Sequence, residues 1–130
     1  MARPSSKHPT ELELEILKVL WRHGPLPVRT VRDELAGFRD LATTSVITVM
    51  NIMVEKGYLQ RRKQGRSFIY KPQVAEGAVT GGMLRDLIAR AFGGSTEAMM
   101  LNLLDSEDLD RDEVARLRKL LSTKAKGKQR

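Results

Sequence analysis

The sequence predicts a mainly α-helical protein with one small β-hairpin, and three observations carry that reading. Three amphipathic segments succeed one another before residue 58, each closed by a glycine (Gly24, Gly37, Gly57). A basic segment with alternating apolar residues follows, and then three Leu- and Met-rich helical segments. Three helices leading into a basic hairpin is the order of a winged helix-turn-helix module. The expected organisation is a winged helix-turn-helix domain over residues 1–75, a C-terminal helical dimerisation module over 76–122 and a disordered basic tail over 123–130.

The elements follow in order. Residues 1–9 are polar with two prolines and read as a loose arm. Thr10 with Glu13 makes a capping box, after which Leu12, Leu14, Ile16, Leu17, Val19, Leu20 and Trp21 supply a helical apolar face that Gly24-Pro25 stops. A second helix is expected over about 28–36, with Val28, Val31 and Leu35 on one stripe. In the third, Val46, Val49, Met50 and Met53 form the buried stripe, Thr43 or Thr44 the N-cap, and Thr44, Thr48, Asn51 and Glu55 the opposite face. Leu59, Phe68 and Tyr70 give the period of a hairpin with its turn at Gln64-Gly65 and its end at Pro72. Residues 74–92 read as a helix interrupted by Gly93-Gly94, Ser95 opens another, and Asp110 with Glu113 caps a last one.

Charge and composition bound the partners. The chain has 130 residues and a net charge of +7, distributed as +6 over residues 1–72, −6 over 73–113 and +7 over 114–130. Lys56, Arg61, Arg62, Lys63, Arg66 and Lys71 lie in a stretch without an acid, the footprint of a phosphate-contacting surface. The absence of Cys excludes disulfides, thiolate nucleophiles and Cys-based metal sites, and the two histidines belong to no nucleophile or metal motif. No Gly-rich phosphate loop and no apolar run of membrane length occurs, so no enzyme activity, cofactor, metal or membrane insertion is expected, and a cytoplasmic location is.

The third helix carries the candidate base-reading residues Thr43, Thr44, Ser45, Ile47, Thr48 and Asn51. Hydroxyl and β-branched residues are mediocre helix formers, and at these positions short side chains let the helix approach base edges closely. The Asn51 amide is of the type that pairs bidentately with adenine, and Ile47 of the type that meets a thymine methyl. Arg61, Arg62, Lys63 and Arg66 on the hairpin are the candidate phosphate contacts of double-stranded DNA. Beyond Pro72, Met83, Leu87, Met100, Leu103, Leu104 and Leu117 belong to helices too short to enclose a core of their own and are the candidate homodimer contacts.

These residues resemble the BlaI/MecI penicillinase-repressor family, whose relatives include the copper-responsive CopY repressors. The likeness spans about residues 10–122 and rests on Leu20-Trp21 with Gly24, on Ser45-Val46-Ile47-Thr48-Val49-Met50 running to Lys56-Gly57, and on Gly65-Arg66 with Tyr70-Lys71-Pro72. Leu101-Asn102-Leu103-Leu104 and Leu117-Arg118-Lys119-Leu120-Leu121 are similar to the family's dimerisation helices. The resemblance implies a homodimeric transcriptional repressor on a promoter dyad, released when a membrane sensor protease causes its cleavage. The matching cleavage position is Asn102-Leu103, with Leu where the family has Phe. Ile52 stands where the family commonly has Arg, and without cysteines the CopY route to copper is closed. The competing expectation is a winged-helix regulator of the PadR or MarR type, released by a small-molecule or protein effector, although few aromatics are available to line a pocket.

Overall fold

The structure is a computed structural model that describes residues 7–106 and 109–128. Most of the expected N-terminal arm and the last two residues of the tail lie outside the described residues. The chain separates into two compact units, residues 1–84 and 85–130.

In the first unit α1 is Glu11–His23, β1 Leu26–Pro27, α2 Val28–Glu34, α3 Thr43–Glu55, β2 Leu59–Gln64 and β3 Ser67–Pro72. Both halves of the capping box form at the start of α1: the Thr10 hydroxyl accepts the Glu13 N–H, and the Glu13 carboxylate accepts the Thr10 N–H at 2.8 Å. Gly24 ends the helix at a φ of 84°, which a side chain would resist. Ile16, Leu17 and Leu20 of α1 then meet Val31, Leu35, Val46, Met50 and Met53 in one core, which Leu59 and Tyr70 close from the hairpin. Each of these side chains is worth about 1.5–3 kcal/mol on burial, so the stripes spaced along the helices are what holds the unit together.

Four local features differ from the sequence expectations. A third strand exists: the sheet order is β1-β3-β2, all antiparallel, with Leu26 opposite Tyr70 and Pro27 opposite Ile69. Proline lacks an N–H and so suits this edge. The hairpin turn sits at Gly65-Arg66, one residue later than expected, because Gln64 pairs with Ser67. Gly65 takes a φ of 62°, the positive value that the first loop residue of a type II′ turn needs. Ala42, not Thr43 or Thr44, is the N-cap of α3, and no side chain caps that end. Glu13 is a buried carboxylate, 3% exposed, and Lys56 Nζ donates to it at 2.9 Å. Burial and this carboxylate push the Tyr58 phenol above its ordinary pKa, while Lys56 acts in the other direction.

α4, Glu76–Ala91, begins in the first unit, which therefore runs past the boundary expected after residue 75. Two contacts explain the extension: Trp21 Nε1 donates to the Val74 carbonyl at 3.0 Å, and Val79 and Gly82 line a hollow with His8, Tyr58 and Val74. The second unit continues with α5, Thr96–Asp105, and α6, Arg111–Lys128. Ser95 caps α5 through the Ala98 N–H, and Asp110 accepts the Glu113 N–H at 2.8 Å at the start of α6. α6 runs through residues 123–128, where a disordered tail was expected; Lys and Ala are good helix formers, and no proline interrupts them. Among the described residues no helix is long and apolar enough to cross a membrane.

Candidate nucleic-acid interface

The buried stripe of α3 turns its other side outward: Thr44, Ser45, Ile47 and Thr48 are exposed and Asn51 half-exposed. With no side-chain cap and no acid in its first turn, the positive end of the helix is open at Thr43, Thr44 and Ser45. The hydroxyls are partly engaged. Arg32 Nη1 donates to Thr43 Oγ1 at 2.7 Å, tying the start of α3 to α2, and Thr48 Oγ1 donates to the Thr44 carbonyl at 3.0 Å. The lone pairs of Thr48 are left facing out, so this hydroxyl is presented as an acceptor.

Between the start of α2, the side of α3 and β3 lies a cleft of about 680 Å³. Thr43, Ile47 and Asn51 form one wall, Phe68 and Tyr70 the other, and Arg29, Arg61 and Arg66 bring three guanidinium groups to it with no acid among the lining residues. Arg61 is held in place from two sides: its guanidinium lies 4.8 Å from the centre of the Phe68 ring, and Nη1 donates to Asn51 Oδ1 at 2.8 Å. The hydroxyl of buried Tyr70 donates to the same oxygen at 2.8 Å. Asn51 is therefore the junction of α3, β2 and β3, and not a side chain standing free in front of the helix.

The register of the hairpin sorts its cations. Arg61 pairs with Tyr70 and Lys63 with Phe68, whereas Arg62 pairs with Ile69 and Gln60 with Lys71. Opposed residues share a face and neighbours along a strand alternate, so Arg61 and Lys63 stand on the face of Leu59 and Tyr70, and Arg62 and Lys71 on the other. Arg66 is in the turn and reaches the cleft. The structure thus brings Arg61 and Arg66 to the cleft beside α3, with Lys63 on the same face of the hairpin as Arg61, whereas Arg62 lines only a second hollow of about 300 Å³ with Pro25, Gln60, Ile69 and Lys71, which Arg61 also borders. Lys56, grouped with these cations by sequence, is turned inward to Glu13.

Sequence reasoning missed Arg29, Thr30 and Arg32 of α2 and the ring of Phe68. The signal available for the arginines was their spacing of three residues, which puts Arg29 and Arg32 on neighbouring turns of α2, with Arg32 at the border of the Val28, Val31 and Leu35 stripe. In the C-terminal helices Met83, Met100 and Leu117 are half-buried, while Leu87, Leu103 and Leu104 are 40–51% exposed. Among the described apolar residues of the second unit only Ile88 is buried. Asn102 and Leu103 lie within α5, both exposed.

Comparison with known proteins shows the family. The family model described as Penicillinase repressor matches residues 9–123. The penicillinase repressor of Bacillus licheniformis is 28% identical over 86% of this chain and 88% of its own length. The transcriptional regulator BlaI of Mycobacterium tuberculosis is 31% identical over 86% and 81% respectively. A solution structure of the DNA binding domain of the repressor BlaI shares 31% identity, covering 52% of this chain and 83% of that one at a TM-score of 0.48. With the match running through both the hairpin and the C-terminal helices, the chain belongs to the penicillinase repressor family.

Proposed function

We propose that this protein is a cytoplasmic, sequence-specific transcriptional repressor that binds operator DNA as a homodimer and carries out no catalytic step. The observation that supports it best is the acid-free cleft, where the small outward face of α3 meets Arg29, Arg61 and Arg66. A short-side-chain helix face is what base edges in a major groove admit, and flanking guanidinium groups are what the phosphates beside that groove attract. A relative named a penicillinase repressor and another named a transcriptional regulator support the same reading.

The homodimer follows from affinity. One 13-residue helix reads few base pairs, and a two-fold pair of them, about 34–36 Å apart, doubles the contact. The exposed leucines of residues 85–130 supply an apolar surface for such a pair, with Met83, Leu87, Met100, Leu103, Leu104 and Leu117 as its contacts. Release by a membrane sensor protease acting at Asn102-Leu103 completes the reading. The test is equilibrium binding of the full chain to a randomised duplex library at one salt concentration. Selection of a preferred two-fold sequence by at least about a thousandfold over bulk DNA is expected. Equal affinity for all duplexes would make it a non-specific binder. A fragment ending at residue 84 should fold, stay monomeric and bind the selected duplex far more weakly.

A further inference from the structure

We infer that Asn51 reads guanine, not adenine, because Tyr70 and Arg61 hold its amide so that only hydrogen-bond donors face the DNA. This rests on the DNA-reading function proposed above and assigns the chemistry of one of its contacts.

The orientation of an amide is settled by its partners. A guanidinium has donors only, so the Asn51 atom that meets Arg61 Nη1 at 2.8 Å must be the oxygen. The Tyr70 hydroxyl, 2.8 Å from the same atom, is then its second donor. A carbonyl oxygen has two lone pairs, and both are taken. The Nδ2 amino group, in contrast, makes no hydrogen bond among the described residues. Tyr70 is 2% exposed and anchored in the core, and Arg61 is stacked on Phe68, so neither donor is a loosely placed surface group.

Bidentate pairing with adenine needs the amide oxygen to accept from N6 while the amino group donates to N7. Here the oxygen is occupied and an amino group would confront the N6 amino group. Guanine offers N7 and O6, an edge made of acceptors alone, which suits a donor-only side chain. Tyr70 is accordingly a positioning residue: it touches no base, and its hydroxyl decides which base Asn51 accepts.

The experiment measures base preference at every operator position for the full-length wild type, Asn51→Ala and Tyr70→Phe, at fixed salt. A guanine position should lose about tenfold in preference in Asn51→Ala. In the wild type, 7-deazaguanine at that position should cost a similar factor, and in Asn51→Ala it should cost nothing further. Tyr70→Phe keeps the ring in the core and frees one lone pair of the Asn51 oxygen while Arg61 holds the other, so that this oxygen can accept from an adenine 6-amino group; the variant should admit adenine at this position while binding bulk DNA as before. The assignment is overturned if the base that responds to Asn51→Ala is an adenine whose 6-amino group is required, if no position responds, or if a folded Tyr70→Phe keeps the wild-type preference. The base-analogue measurements need no variant of Tyr70, so they decide even if that substitution unfolds the protein. A wild type without preference at any position would instead overturn the repressor function itself.

Discussion

Glu13 shows how one side chain can serve two elements. Its first oxygen closes the capping box of α1 and its second receives Lys56, 43 residues away just after α3. A carboxylate this buried is tolerable only while both oxygens are satisfied, because an unpaired buried charge costs several kcal/mol. Glu13→Ala removes the carboxylate half of the capping box, leaving the Thr10 cap in place, and strands Lys56 beside Tyr58; it is expected to lower stability by about 2–4 kcal/mol in urea unfolding. Lys56→Met, which spares the cap, should cost less, and the two losses should not add, since they break one interaction. A Glu13→Ala chain within about 0.5 kcal/mol of wild type would show that the pair contributes no net stability.

At the scale of the element, the hairpin separates cations that look alike in sequence. Arg66→Ala and Lys63→Ala each remove a charge from the side facing α3, and each should reduce the slope of log affinity against log salt by about one unit. Arg62→Ala removes a charge from the other face and should leave the slope nearly unchanged. Titration of a common duplex at several salt concentrations checks all three, and equal losses would mean that DNA embraces both faces of the hairpin. The alternation from Leu59 through Tyr70 already set Arg62 opposite its neighbours, and reading the run as a single basic cluster concealed this. Other elements announced themselves: the capping box and stripe of α1, the small outward face of α3 and the glycine-bearing hairpin turn are local patterns. What stayed hidden depended on distant partners. β1 is two residues long and exists only because β3 lies beside it, Glu13 is buried only because Lys56 reaches it, and Asn51 is constrained only because Tyr70 and Arg61 converge on it.

At the scale of the whole molecule, the two compact units are built on different principles. The first has its own core, whereas the second leaves Leu87, Leu101, Leu103, Leu104, Leu120 and Leu121 at 40–65% exposure. If a second copy covers that surface, integrity of α5 becomes the control point for DNA binding. A cut between Asn102 and Leu103 would detach Leu103, Leu104, Leu117, Leu120 and Leu121, each worth about 1.5–3 kcal/mol when buried, enough to dissolve an ordinary dimer. Access to the bond requires α5 to open, and the helix favours opening. It has ten residues, short of the roughly 12–15 below which an isolated helix is marginal, and positive-φ Gly93 and Gly94 precede it. Placing a specific protease site at 102–103 and following both sedimentation and operator occupancy should therefore show dimer and complex lost together at the rate of cleavage. The uncut engineered chain, measured alongside, separates the effect of the cut from that of altering Leu103 and its helix. Cleaved protein that stays dimeric and keeps its operator would place the control of binding outside α5 and α6.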